Sequence, residues 1–170
     1  MHPCSDLVET CIAFNLDALA RAERDVLDKL QASGATRLVA ALQMIRLQKA
    51  IMAVGLFAMF DASLQTRLGC PDGFRAAGER LERLREVALR QRFLDFQSAI
   101  NVLKHGRGTS YDRLVTNAGM LPFRIRRPDE HFFDEGDVSE PDNLIDVDDA
   151  FVKSCASVIR EVSDAILRSA

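Results

Sequence analysis

The chain has 170 residues, 48% of them apolar, and a formal net charge of −3. That length fits one domain of about 100–200 residues, and it buries enough surface to need no disulfide or metal staple. The apolar share excludes wholesale disorder.

Four cysteines, Cys4, Cys11, Cys70 and Cys155, lie far apart with no Cys-x-x-Cys pair. This argues against a zinc site or a disulfide framework and for free thiols in a reducing compartment. The first residues carry no basic stretch leading into an apolar run, so no secretory signal is expected. The longest apolar run, Ala50 to Phe60, is eleven residues, short of the ~20 that span a bilayer. A cytoplasmic protein without membrane contact is the expectation. Charge is unevenly spread: residues 67–127 hold thirteen Arg/Lys against six acids, a local +7, and residues 128–149 hold ten acids and no Arg/Lys. The two segments are expected to neutralise each other, the other option being a polyanion-binding face.

Ser5 fits an N-cap, with Asp6 and Glu9 where a helix dipole favours acids. Leu7, Cys11, Phe14, Ala18 and Ala22 recur at helical spacing, flanked by Val8, Ile12, Leu19, Val26 and Leu30, and Gly34 closes this first amphipathic helix. Thr36 caps the next, which runs from Leu38 to Leu68. Its middle is apolar all round, which predicts a helix surrounded by others or set in an oligomer interface. Gly55 suggests close approach of a neighbouring helix. Asp61 marks either the return to water or a buried acid.

Gly69-Cys-Pro-Asp-Gly73 is a turn. A third long helix is expected from about Phe74 to His105, with Leu89, Phe93, Phe96, Ile100 and Leu103 as its core stripe. Thr109 or Ser110 then caps a short helix ending near Val115 and Gly119. Leu121 to Pro128 is extended between its prolines, and an acidic loop follows, anchored by Phe132-Phe133 and Leu144-Ile145. Some 25 residues without regular structure are uncommon inside a domain and point to function or to short strands. Asp148 and Asp149 open a last helix with Phe151, Cys155, Val158, Val162 and Ile166 as its buried face. The sum is an all-α fold in one domain over residues 1–170. It is an antiparallel bundle of four long helices, with a short extra helix and an irregular acidic insert over about residues 106–147.

Candidate chemistry gathers at the end of the third helix. Arg90, Leu94, Gln97, Asn101 and His105 form a stripe beside the core face. Asn101 and His105 sit one turn apart, with Lys104, Arg107 and Ser110 close in sequence. Histidine exchanges protons at neutral pH, and Asn and Lys can hold phosphate oxygens. The same residues also make good capping chemistry: basic side chains complement a helix C-terminus and Gly106 takes a positive φ. No metal site and no cofactor motif is expected, since the acidic loop lacks EF-hand spacing and Gly106-Arg-Gly108 follows a helix rather than a strand.

Asn101-Val-Leu-Lys-His-Gly-Arg-Gly108 resembles an Asn-x-x-Lys-His-Gly-x-Gly stretch of uncharacterised bacterial helical proteins, some similar to the HEPN superfamily. That resemblance implies a four-to-five-helix bundle, often a homodimer, and in many members a metal-independent endoribonuclease of defence or toxin–antitoxin systems. His105 would be the general base or acid, with Asn101 and Lys104 holding phosphate and Arg90, Gln97, Arg107 and Ser110 binding RNA. The superfamily's Arg, separated from the His by four to six intervening residues, has no counterpart: positions 98 to 100 are Ser, Ala and Ile. The rival expectation is a non-catalytic, dimeric bundle that acts as an interaction or regulatory protein.

Overall fold

A computed structural model describes residues 3–32, 36–130 and 143–167. The fold is all-helical: α1 (Pro3–Ala32), α2 (Thr36–Leu68), α3 (Gly73–Arg83), α4 (Val87–His105), α5 (Thr109–Thr116) and α6 (Asp149–Leu167), with one turn of 3-10 helix at Ala118–Met120. The expected caps Ser5 and Gly34 and the anchors Phe132 and Phe133 lie outside the described side chains.

The 33-residue α2 is the centre of the fold and packs against α1, α3, α4 and α6. Its inward face presents Ala53, Phe57, Phe60 and Leu64. Phe57 and Phe60 meet Phe74 of α3, and Phe60 and Phe74 both meet Phe93 of α4, with ring centroids 5.6–6.3 Å apart. A second aromatic group, Phe96, Phe123 and Phe151, joins α4, the chain after the 3-10 turn, and α6. Edge and tilted packing of this kind adds about 0.5–1.5 kcal/mol per pair beyond burial.

The same inward face carries a cation. Lys49, 8% exposed, reaches Glu23 of α1 at 3.2 Å and Asp149 of α6 at 2.9 Å. Burial pulls its pKa down, but the hydrogen bond to Asp149 and the charge of Glu23 outweigh that, and the group sits above its ordinary 10.5. One ammonium thus ties three helices.

The expected third helix is two. Leu84 ends α3, Arg85 takes a φ of 60°, and the Arg85 and Glu86 amides donate to the Glu82 and Leu81 carbonyls, both at 3.0 Å. This is a Schellman closure with an arginine where glycine usually sits. Arg90 secures the corner from α4, donating to the Gly78 carbonyl at 3.2 Å and pairing with Glu82 at 3.4 Å. With neither Gly nor Pro at residues 84–86, the break left no composition signal.

Close approach also falls elsewhere than expected. A Cβ added to Gly55 would meet nothing within 4 Å, whereas one on Gly73 would lie 2.7 Å from the Asp61 carbonyl oxygen and from Leu64 Cβ. Asp61 therefore faces the start of α3, where the helix dipole favours an acid, and not the α4 stripe; its Oδ2 accepts from Gln65 at 2.8 Å. In α1 the buried positions are Ile12 and Leu16, while Leu7, Cys11, Phe14, Ala18 and Ala22 are exposed.

Beyond α5 the chain is held by few bonds. Ile125 and Ile145 form one antiparallel bridge, Arg126 N–H donates to Leu144 O at 2.8 Å and Asp146 N–H to Arg124 O at 3.1 Å. Leu144 and Ile145 are buried, as expected of anchors. Asp148 caps α6 by accepting from the Phe151 amide at 2.7 Å, and all five expected residues of its buried face are buried.

Two outcomes follow from these contacts. Arg85→Gly relieves the left-handed residue and raises stability by about 1 kcal/mol in urea unfolding. Lys49→Met lowers it by about 1–3 kcal/mol, less than for a fully enclosed pair because both carboxylates still reach water. The Lys49 contribution is complete below the ordinary lysine value of 10.5 and is lost as pH rises through the higher folded value. The stability gap between the two proteins is therefore flat from neutral pH to pH ~9 and shrinks beyond pH ~10.5, read from unfolding midpoints across that range.

Candidate functional site

Val102 is buried and holds the last turn of α4 against the core, so the basic residues after it project from a fixed helix end. The Gly106 amide closes that end on the Val102 carbonyl at 2.8 Å, and Gly106 has φ 73° and ψ −142°, a combination that a side chain excludes. The expected stop is therefore present, with glycine's freedom used in full. Lys104 and His105 are exposed, and among the described residues neither makes a side-chain hydrogen bond or ion pair.

Arg107 turns to the other side of Gly106. Its guanidinium lies 5.7 Å from the centroid of the Tyr111 ring, and the buried Tyr111 donates its hydroxyl proton to the Arg126 carbonyl at 2.8 Å. Arg107 and Arg126 border a cleft of about 470 Å³ whose other lining residues are Val102, Leu103, Gly106, Asn143 and Leu144. Neither Thr109 nor Ser110 caps α5; Gly108 is its N-cap, with no side-chain bond to the first turn. That leaves N–H groups at the α5 end beside Arg107, a polarity that favours anions.

The candidate residues do not form one constellation. Arg107 lines the cleft, while Gln97, Asn101 and Ser110 are half-buried on their helices and Lys104 and His105 stand outside it. Arg90 is fifteen residues before His105 on one helix, about 22 Å at 1.5 Å per residue, and it is engaged with Gly78 and Glu82. At the positions where the superfamily's arginine would stand, α4 carries Ser98, Ala99 and Ile100, all buried.

In comparison with known proteins, no family model, curated protein or solved structure matches this chain. The reading rests on the geometry.

Reasoning from the residues missed Arg126 and Asn143, which come to the cleft from distant segments, and the pair Asp95–Arg113. Asp95 is buried on α4 and accepts from Gln91 at 2.9 Å and Arg113 at 3.1 Å, while Arg113 also donates to the Leu94 carbonyl at 2.7 Å. That pair clamps α5 to α4 and fixes Gly106–Gly108 between them. Among the described residues, no three His, Cys, Asp or Glu side chains gather as metal ligands would. Between the basic and acidic segments, Arg124 lies 3.9 Å from Asp146 and Arg127 3.8 Å from Glu130.

His105→Ala removes an exposed, unengaged side chain and changes stability by less than about 0.5 kcal/mol. Gly106→Ala forces a Cβ into excluded backbone space and costs about 1–3 kcal/mol. Thermal and urea unfolding of the two variants separate the roles; equal losses would mean that the imidazole itself supports the helix end.

Proposed function

We propose that this chain is a non-catalytic helical-bundle interaction or regulatory protein, working through its surface rather than through bond-making chemistry. One observation carries the reading: among the described residues, large apolar side chains of α1 and α2 are left exposed. Leu7, Phe14, Met44, Leu47, Ile51 and Met59 are each between 51% and 71% exposed. Single exposed apolar residues are ordinary, but a run of large ones along two packed helices marks a contact surface. In this reading α1, α2, the α3–α4 pair and α6 make an antiparallel bundle, and residues after α5 form a side insert. The free thiols of Cys11, Cys70 and Cys155 fit a cytoplasmic setting.

A second reading has its own support. The unengaged Lys104 and His105, with Arg107 and Arg126 on the cleft behind them, suit an RNA-binding or HEPN-like ribonuclease role. Against it stand the separation of the candidate groups and the lack of an arginine at positions 98 to 100.

Incubating purified protein with fluorescently labelled RNA in EDTA decides between them. The interaction reading expects background cleavage that His105→Ala leaves unchanged within about twofold, a ratio below 0.5 kcal/mol in barrier height. Metal-independent cleavage that His105→Ala abolishes while leaving the melting temperature unchanged would establish the nuclease instead.

A further inference from the structure

We propose that the occupant of the uncovered apolar face is a second copy of this chain, with the two α2 helices packed antiparallel about a two-fold axis level with Ala53. The proposal rests on the interaction reading above and names its partner.

The evidence is the order of sizes along α2. Its outward stripe begins with large side chains, Met44, Leu47 and Ile51, and continues with small ones, Gly55, Ala58 and Ala62, with the large Met59 at the edge of that second half. Reversed about residue 53, Met44 falls level with Ala62 and Ile51 with Gly55, while Leu47 falls beside Ala58 and Met59. Antiparallel packing across a two-fold axis there sets Met44 against Ala62 of the partner subunit, Leu47 against Ala58 of the partner subunit and Ile51 against Gly55 of the partner subunit. Each contact then occurs twice, as an isologous interface requires. Parallel packing would set large against large at one end and leave glycine and alanine facing each other at the other, against the close packing of protein interfaces. Gly55 has the open space this needs, since within the chain a Cβ there meets nothing within 4 Å.

α1 extends the apolar surface. Glu23 meets Lys49, and three residues separate the two helices, so α1 runs back along α2. Phe14 is nine residues before Glu23 and so stands level with Ala58, nine after Lys49; Leu7 lies further along, past Ala62. Glu9, on the opposite side of α1, pairs with Arg160 of α6 at 3.1 Å, so Leu7 and Phe14 face away from the bundle, both 70% exposed.

Charge and area agree. No exposed residue of α2 from Ala40 to Ser63 is charged, and on α1 the exposed Asp17–Arg21 and Asp25–Lys29 pairs border the apolar residues, an apolar centre with a polar rim. At about 150–200 Å² for a large side chain in full, the uncovered parts of the six large residues come to roughly 600–750 Å², most of the ~800 Å² per partner of a standard interface. Lipid is the competing occupant, because α2 has the length and, over its most apolar stretch, a mean hydropathy of 1.4 that suit a membrane.

Sedimentation equilibrium of the full chain, with one substitution and its rescue, tests the proposal. The wild type is expected as a dimer of the 18.9 kDa chain. Gly55→Leu adds bulk that a single chain accommodates and the dimer does not. It should keep its far-UV circular dichroism and weaken dimerisation by about tenfold or more, and Ile51→Ala in the same chain should restore it to within about threefold. A wild type that is monomeric at 100 µM (about the highest working concentration) overturns the proposal, as does a dimer indifferent to Gly55→Leu. A wild type that stays monomeric yet binds phosphatidylcholine–phosphatidylglycerol vesicles assigns the face to a membrane, overturning the second copy but not the interaction reading. Failure of that reading shows separately, as His105-dependent RNA cleavage.

Discussion

The contact on which the structure turns is Lys49 against Glu23 and Asp149. An amphipathic helix has one way to face its neighbours; a helix apolar on every side has several of nearly equal free energy, since hydrophobic burial is not directional. The ammonium of Lys49 removes that freedom. Placed in the core without its two carboxylates it would cost several kcal/mol, so α2 settles where α1 and the first turn of α6 supply them. The choice of inward face follows, and so does the outward position of Met44, Leu47, Ile51 and Gly55. The apolar face that carries the functional proposal is a consequence of where one charge is satisfied.

The aromatic contacts then fix the remaining elements around α2. Phe57 and Phe60 receive Phe74 and Phe93, which holds α3 and α4 on one side while the Arg85 corner lets the chain bend between them. Phe96, Phe123 and Phe151 do the same for the segment after α5 and for α6. The end of α4 is thereby rigid and the basic residues beyond it are held apart: Arg107 over Tyr111, Lys104 and His105 outward. Fixed geometry with groups spread around a helix end suits contact with a surface better than assembly around one reacting atom, where catalytic groups must converge within hydrogen-bond reach.

Much of this was legible in the sequence, and the misreadings share a cause. The stripes of α4 and α6, the closure at Gly106 and the anchors Leu144 and Ile145 follow from periodicity and glycine chemistry, which act locally. The break at Arg85 is local too, but it uses an arginine in a conformation that composition assigns to glycine. In α1, two apolar stripes compete, and the chosen one is set by Glu23 reaching Lys49, a contact between residues far apart in sequence. In α2 the inward position of Lys49 depends on Glu23 and Asp149, partners that no local pattern in the helix announces. The cleft beside Gly106 draws Arg126 and Asn143 from across the insert, and no spacing announces that.

The orientation of α2 is therefore the central claim, and its methionines report on it. Met120, 89% exposed, is a built-in reference, Met44 and Met59 stand on the outward side at 68% and 71%, and Met52 is packed against the core. Peroxide oxidation of each, followed by mass spectrometry of the peptides, reads accessibility directly. In dilute protein, Met44 and Met59 should oxidise nearly as fast as Met120, with Met52 well behind. At high concentration, Met44 should become protected while Met120 does not. Met52 reacting as fast as Met44, or Met44 and Met59 as slow as Met52 at every dilution, would contradict the account.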